Sequence, residues 1–282
     1  MNDPAKSCQP MQPGWLFCED FEYGNLSAWE PHNPGGSLEL LPAEDKLDQE
    51  GNTALRVRVP PGRSGKGLRK KFKMNDYKVL HARWYVKYEP GFDFSARNHG
   101  HGFRAGDPWS PGSGHRPKGD DYFSVRFEHL IEADTNRPVN YLYVYYRGMQ
   151  MDCSDPEGAC WGDHFPCMID EDYYCTNEKY RETVLPPVLE HDRWYCVELM
   201  ADAGTPVDNR KDADGSLDFR VDGRQIGPWE DLWLRTHADV RLNSFWLGLF
   251  HHDEHSKEGM MFDDVVISTQ RIGCGNGPVH NQ

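Results

Sequence analysis

Three short patterns place side chains capable of anion and proton chemistry at two-residue intervals. They are Ser124-Val-Arg126-Phe-Glu128, Tyr141-Leu-Tyr143-Val-Tyr145, and the set Trp246, Phe250 and His252. Two residues is the interval at which a strand returns to the same face. Phe123, Val125 and Phe127 take the opposite face of the first strand, Leu142 and Val144 of the second, and Leu247 and Leu249 of the third. One side of such a sheet is apolar, and the other carries Ser, Arg, Glu, Tyr and Trp. Rows of aromatic and hydrogen-bonding groups suit sugar rings, which offer apolar faces and hydroxyl edges. Tyrosine is a good strand former in any case, but three in a row beside Ser-x-Arg-x-Glu argue for more. His99, His101 and Arg104 lie nearby in SARNHGHGFRAGD. They add imidazoles that titrate near neutrality and a guanidinium fork that fits carboxylates.

Other constellations are weaker. His251-His252-Asp253-Glu254-His255, with His99 and His101, offers imidazole and carboxylate ligands of the kind zinc or copper takes. It lacks the H-E-x-x-H spacing that sets two ligands one helical turn apart. His252 is read as a substrate contact, and His251 and His255 as rim residues. Glycoside hydrolysis needs two carboxylates across a cleft, and Glu128 and Glu198 have suitable parity. Asp20 and Asp264, with Glu19 and Asp263, are expected to hold a structural calcium between the first and last strands. No G-x-S-x-G elbow and no phosphate-cradling glycine loop is present.

The chain has 282 residues, with 45 acidic and 31 basic side chains and a net charge of −14. That balance argues against nucleic acid as a partner, since phosphate binding needs clustered Lys and Arg. The mean hydropathy of −0.79 leaves no apolar run of about 18 residues for a membrane helix. Eight cations crowd into residues 56–73, usually the mark of a solvated face, though one that could attract a polyanion locally. Aromatic residues make up 12% of the chain, too many for a disordered one.

Eight cysteines, Cys8, Cys18, Cys153, Cys160, Cys167, Cys175, Cys196 and Cys274, contain no C-x-x-C pair. Disulfides fit better than zinc and imply an oxidising compartment, secreted or periplasmic. The opening residues MNDPAKSCQPMQPGW lack the basic and apolar regions of a signal peptide, so Met1 is read as the start of a trimmed, mature chain. Eight cysteines allow 105 pairings. The pairing expected is Cys18 with Cys196 and Cys8 with Cys274, with the other four joined locally.

Strand-like runs bounded by Gly, Pro, Asn and Asp occupy 15–22, 53–59, 80–89, 122–130, 140–146, 193–200, 216–221, 243–250 and 261–268. About nine to twelve short strands without a linker predict one all-β domain over 1–282, a two-sheet sandwich or jelly roll with tails at 1–14 and 275–282. Loops are expected over 90–120 and 147–190, and a short helix over 229–235.

The segments LFCEDFE, ARWYVKYEPGFDF, WYCVEL, DGSLDFRVDG and FWLGLFHHDEHSKEGMMFDDVVISTQRIG resemble the concanavalin-like jelly-roll polysaccharide lyases. That group includes alginate lyases of polysaccharide lyase family fourteen, glucuronan lyases and, more distantly, heparin lyase I. The resemblance runs from about Trp15 to Gly273. In the similar alginate lyases one strand carries Ser-x-Arg and the next Tyr-x-Tyr, matched here by Ser124-Val-Arg126 and by Tyr141-Leu-Tyr143 or Tyr143-Val-Tyr145. Those enzymes place a Lys in the loop where this chain has His99, His101 and Arg104, and glucuronan lyases use a His in their clefts.

The resemblance implies β-elimination on a uronic-acid polymer by a monomer that requires no cofactor. Arg126 would neutralise the uronate carboxylate and so stabilise the developing enolate. His101 or His99 would take the C5 proton, and Tyr143 or Tyr141 would protonate the departing O4. A tyrosine could do both if the arginine lowered its pKa. Ser124 belongs with these catalytic residues, and His99, Arg104, Glu128, Tyr145, Trp246 and His252 would line the subsites. The alternatives are a carbohydrate-binding module without catalysis, or a glycoside hydrolase using Glu128.

Overall fold

A computed structural model describes residues 8–42, 52–72, 77–95, 98–107, 114–131, 136–150, 160–167, 184, 186–252 and 258–274. Among the described residues seventeen strands, β1 to β17 in chain order, form two sheets of antiparallel neighbours. The nine-stranded sheet runs β14 (Arg224–Gln225), β13 (Gly215–Val221), β12 (Trp194–Asp202), β6 (Val79–Tyr88), β17 (Glu258–Ser268), β4 (Thr53–Val59) and β3 (Ser37–Pro42). Beside it, β1 (Trp15–Glu19) pairs with β17, and β15 (Trp229–Leu232) pairs with β13. The eight-stranded sheet runs β11 (Asp163–Phe165), β10 (Pro138–Tyr145), β9 (Tyr122–Ile131), β8 (His101–Gly106), β16 (Leu242–His251), β5 (Ser64–Lys71) and β2 (Glu30–Pro34). The two-residue β7 (Asn98–His99) pairs with β16. This is the jelly-roll sandwich expected from the sequence.

Alternation produces it. In β6, Leu80, Ala82, Trp84, Val86 and Tyr88 are buried between the sheets. The Trp84 indole crosses the layer, with ring centroids 4.9 Å from His101, 5.6 Å from Phe127 and 5.6 Å from Phe245. Each fully buried side chain of this class contributes about 1.5–3 kcal/mol, so the apolar parity fixes which face each strand turns inward. All nine expected strands are present.

Two elements differ from expectation. Residues 229–232 form β15, not the start of a helix. Trp229 and Leu232 pack inward while Glu230 and Asp231 face solvent, and Asp231 has φ of +57°, which no right-handed helix accommodates. The stretch 90–120, expected as loop, contains β7 and β8. Its glycines concealed a strand because they leave one face of β8 bare but for Arg104.

The disulfides also differ. Cys8 bonds Cys18, and Cys196 bonds Cys274, so the expected Cys18–Cys196 and Cys8–Cys274 pairs are wrong. The chain before β1 doubles back on that strand, where Asp20 also accepts from the Cys8 amide. The segment after β17 runs to β12, bringing Cys274 to Cys196. Cys160 and Cys167 are disulfide-bonded as well, while Cys153 and Cys175 lie outside the described residues.

Candidate active site

The site is laid out by register on the outer face of the eight-stranded sheet. Residues directly opposite across a pair share a face. Tyr145 faces Ser124, Tyr143 faces Arg126 and Tyr141 faces Glu128. Ser124 in turn faces Arg104, and Arg126 faces Gly102. Gly102 meets Trp246, which meets Arg69. His164 of β11 stands opposite Tyr143 at the other end. One line across six strands therefore reads His164, Tyr143, Arg126, Gly102, Trp246, Arg69.

The middle of this face is backbone. Gly67 pairs with Gly248, and a Cβ on Gly248 would come within 2.6 Å of the Gly67 Cα. A Cβ on Gly67 would sit 2.5 Å from the Trp246 Nε1. The indole thus folds across a strip that has no side chains of its own. The Arg126 guanidinium lies 5.3 Å from its centroid, a cation–π contact, and His32 meets it edge-on at 5.8 Å.

Arg126 is half-buried and makes no ion pair among the described residues; the bridge to Glu128 that its spacing allowed does not form. Arg104 stacks on Tyr122 at 4.7 Å and donates to the Asp107 carbonyl. Burial, then the positive charges of Arg69, Arg126 and Arg104, push His32 down to about 4. Of these guanidiniums Arg69 is paired with Glu30 at 3.4 Å, and the imidazole they surround is held neutral.

The other end holds a continuous hydrogen-bonded chain. The Tyr141 hydroxyl donates to Glu128 Oε2 at 3.0 Å. Glu128 Oε1 pairs with His99 Nδ1 at 2.8 Å, and His99 Nε2 meets His252 Nε2 at 2.7 Å. The His99 ring stacks on Tyr143, with centroids 5.4 Å apart. Glu128 is buried, whereas His99 and His252 are partly exposed.

The tyrosines have separate duties. Tyr145 donates to the Cys160 carbonyl and accepts from the Gly114 amide, while the Tyr143 and Tyr145 hydroxyls lie 2.9 Å apart. Burial, and then the neighbouring Tyr145 and Glu128, push the Tyr143 phenol far above its usual range. The expected lowering by arginine does not appear: Tyr143 keeps its proton, and as a weak acid it can give that proton only to a strongly basic oxygen.

Several expected residues stand elsewhere. His101 is wholly buried between the sheets, against Trp84, Phe127 and Phe262. Burial pushes it down to about 3. It is one residue out of phase with the site face, so the His99-x-His101 parity fails at Gly100, where the chain passes from β7 to β8. His251 is buried and its Nε2 bonds the Pro60 carbonyl, so it is no rim residue; Asp253, Glu254 and His255 lie outside the described residues. Glu198 is on β12 of the other sheet, held by both Nε and Nη2 of Arg271, and is not a partner for Glu128.

The acids expected around calcium are tied to protein donors. Asp20 accepts from the Cys8 and Glu22 amides, Glu19 from Phe21 and Trp29, and Asp263 from Asn52 and the Asp264 amide. Among the described residues no three His, Cys, Asp or Glu side chains gather as metal ligands. β1 and β17 are neighbours as expected.

His164 and Arg69 are site residues that the sequence did not single out. His164 lies with ring centroids 4.7 Å from Tyr141 and 4.9 Å from Tyr143, in a stretch read as loop. Arg69 sits in the basic run, and the every-second-residue pattern Gly65, Gly67, Arg69, Lys71 would have marked it.

No protein-family model matches the chain, and no curated protein does. Solved structures do. Alginate lyase vAL-1 from Chlorella virus superposes with a TM-score of 0.62 at 14% identity, covering 90% of this chain and 99% of its own. The marine PL-14 alginate lyase from Aplysia kurodai gives 0.58 at 15% identity, covering 88% and 92%. The endo-β-1,4-glucuronan lyase from the fungus Trichoderma reesei gives 0.55 at 13%, covering 91% and 96%. The chain has the fold of these polysaccharide lyases.

Proposed function

We propose that the protein is a polysaccharide lyase that cleaves a uronic-acid polymer by β-elimination on the outer face of the eight-stranded sheet. The observation that carries this reading is Arg126, a half-buried guanidinium with no carboxylate partner among the described residues. It stands between an aromatic platform and a tyrosine that holds its proton. Keeping a charge part-buried and uncompensated is costly, and a uronate carboxylate would supply the missing partner bidentately.

In this reading Arg126 neutralises the carboxylate next to C5 and so stabilises the enolate. His99 removes the C5 proton through Nε2. The electron pair becomes the C4–C5 double bond as the C4–O4 bond breaks, and Tyr143 gives its proton to O4. Tyr145 holds the Tyr143 hydroxyl in place, Trp246 offers a ring face to the sugar, and Ser124 and Arg104 lie alongside. Disulfides at both ends of the chain accord with secretion or a periplasmic location.

Incubation with alginate, glucuronan, pectin and glycosaminoglycans, read by ultraviolet absorbance and by reducing ends, tests the reading. The expected product carries the unsaturated chromophore. Reducing ends without it would point to hydrolysis, and glycan affinity without cleavage would point to a binding module; either result overturns the lyase.

A further inference from the structure

The hydrogen-bonded chain at the acidic end of the site assigns work to two residues that the elimination step leaves unused. Glu128 is an inward carboxylate on the site face, with 1% of its side chain exposed. Its Oε1 faces His99 Nδ1 at 2.8 Å and its Oε2 accepts from Tyr141 at 3.0 Å. A carboxylate only accepts, so the proton on this side of the imidazole must sit on Nδ1. Neutral imidazole carries one proton, and its Nε2 is then a lone pair. Among the described residues the group facing that lone pair is His252, whose Nε2 lies 2.7 Å away and in this tautomer donates to it.

We propose that Glu128 is a positioning residue that fixes His99 in the Nδ1–H form, and that His252 is the outlet for the proton His99 collects. This rests on the lyase reading for its chemistry, though the proton positions stand apart from it.

When a sugar occupies the site it takes the place of His252 beside His99 Nε2. The displaced His252 exchanges with water and carries its proton on Nδ1. His99 Nε2 takes the C5 proton and becomes an imidazolium, paired through Nδ1–H with the Glu128 carboxylate. Once product leaves, His252 returns and accepts the proton on its Nε2, releasing its Nδ1 proton to water. The tyrosinate left at Tyr143 takes a proton from water. Protons balance over the cycle, and the end state is the resting arrangement: His252 Nε2–H donating to a His99 lone pair. His252 is partly exposed, as an outlet must be.

The groups that face His99 are Glu128 from β9, Tyr143 from β10, His164 from β11, and Phe250 and His252 from β16 and the residue after it. Burial, and secondarily the charge of His99, push His164 down to about 3. It stays neutral across the working range and does not compete for the proton. Glu128 is therefore the one carboxylate in contact with His99 among the described residues.

The test begins without substrate. Long-range proton–nitrogen NMR on histidine-labelled protein, with His99 assigned by its loss in His99→Gln, should show Nδ1 protonated and Nε2 bare at neutral pH. A bare Nδ1 on His99 would overturn the proposal whether or not the protein proves to be a lyase. With an active polymer, Glu128→Gln should lower kcat about 10²- to 10⁴-fold, as removal of an orienting carboxylate does, with KM within about threefold. The acidic limb of its pH profile should move to lower pH as the imidazolium loses its counter-charge. Glu128→Asp should restore part of kcat. A kcat unaffected by Glu128→Gln, or a loss with no movement of the limb, refutes the positioning role. If Glu128→Gln does not fold, Tyr141→Phe, which removes a hydrogen bond to Glu128 without removing its charge, should leave the NMR pattern intact and kcat within about tenfold. His252→Ala should lower kcat about tenfold, recovered by raising the imidazole buffer concentration. A loss indifferent to buffer rules out the outlet.

Discussion

The outer faces of the two sheets carry similar side chains and pair their charges to different extents. On the nine-stranded sheet most charges are paired off, the exception being buried Arg83, which lies over the Tyr85 ring at 5.5 Å with no ion pair among the described residues. Arg56 and Arg58 share Glu89, Lys87 reaches Asp192, Arg193 reaches Asp222, Arg220 reaches Asp218, and Arg271 grips Glu198. On the eight-stranded sheet Arg69 and Lys71 share Glu30, but Arg126 meets an indole and no carboxylate among the described residues, and buried Glu128 meets His99 and Tyr141. A face whose charges are matched internally has little left to offer a ligand. A face that holds a guanidinium, an imidazole and two phenols together, with the guanidinium unmatched among the described residues, is one on which the proposed uronate would supply the counter-charge.

The largest expected effect would break the comparison on the side of stability. Cys196–Cys274 closes a separation of 78 residues and ties the last segment to the nine-stranded sheet, whereas Cys8–Cys18 closes only 10. In the chain-entropy account, removing the longer link costs about 4–5 kcal/mol and the shorter about 3 kcal/mol. Urea unfolding of the two double Cys→Ala variants should rank them in that order, and equal losses would mean that loop length does not govern the difference.

Arg126→Ala should come next, with about 10²–10³-fold lost from kcat/KM, or about 3–4 kcal/mol of barrier. Its unfolding midpoint should stay close to that of the parent, because no protein carboxylate loses a partner. A stability loss matching the activity loss would place Arg126 among the structural arginines and erase the contrast.

The layer between the faces sets an acid limit. Burial pushes His101 and His129 down to about 3, against about 6.5 in the unfolded chain. Below about 6.5 the unfolded chain therefore takes up protons that the fold refuses. The stability linked to these groups is complete above that pH and declines as pH falls towards 3. Unfolding midpoints should be flat between pH 7 and 8 and fall progressively from 6 to 4; an unchanged midpoint at pH 4 would contradict the burial of these rings.

Arg220→Ala should do least. Its pair with Asp218 lies on the nine-stranded sheet, so less than about 1 kcal/mol of stability and no activity should be lost. A drop in turnover would show that the paired face takes part in function after all.

Much of this was legible in the sequence because strand parity is a strict code. The face shared by Ser124, Arg126 and Glu128, the tyrosine row and the outward Trp246 all follow from alternation, and the structure keeps each assignment. The misplacement of His101 has a physical source. Gly100, Gly102 and Gly106 leave one face of β8 bare but for Arg104, so the run did not read as a strand and the phase of its histidines could not be set. The pairing of Cys8 with Cys18 depends on the chain doubling back before β1, and that of Cys196 with Cys274 on where the last segment crosses the sheet. Neither path leaves a pattern in residue order.

The paired glycines beneath Trp246 have a consequence for how such a site changes over time. With strands too close at Gly67 and Gly248 to admit even a methyl group, mutation has no raw material there. Any change of preference would have to fall on the bordering residues, such as His32, Arg69, Arg104 and the tyrosine row, because the bare strip admits no side chain.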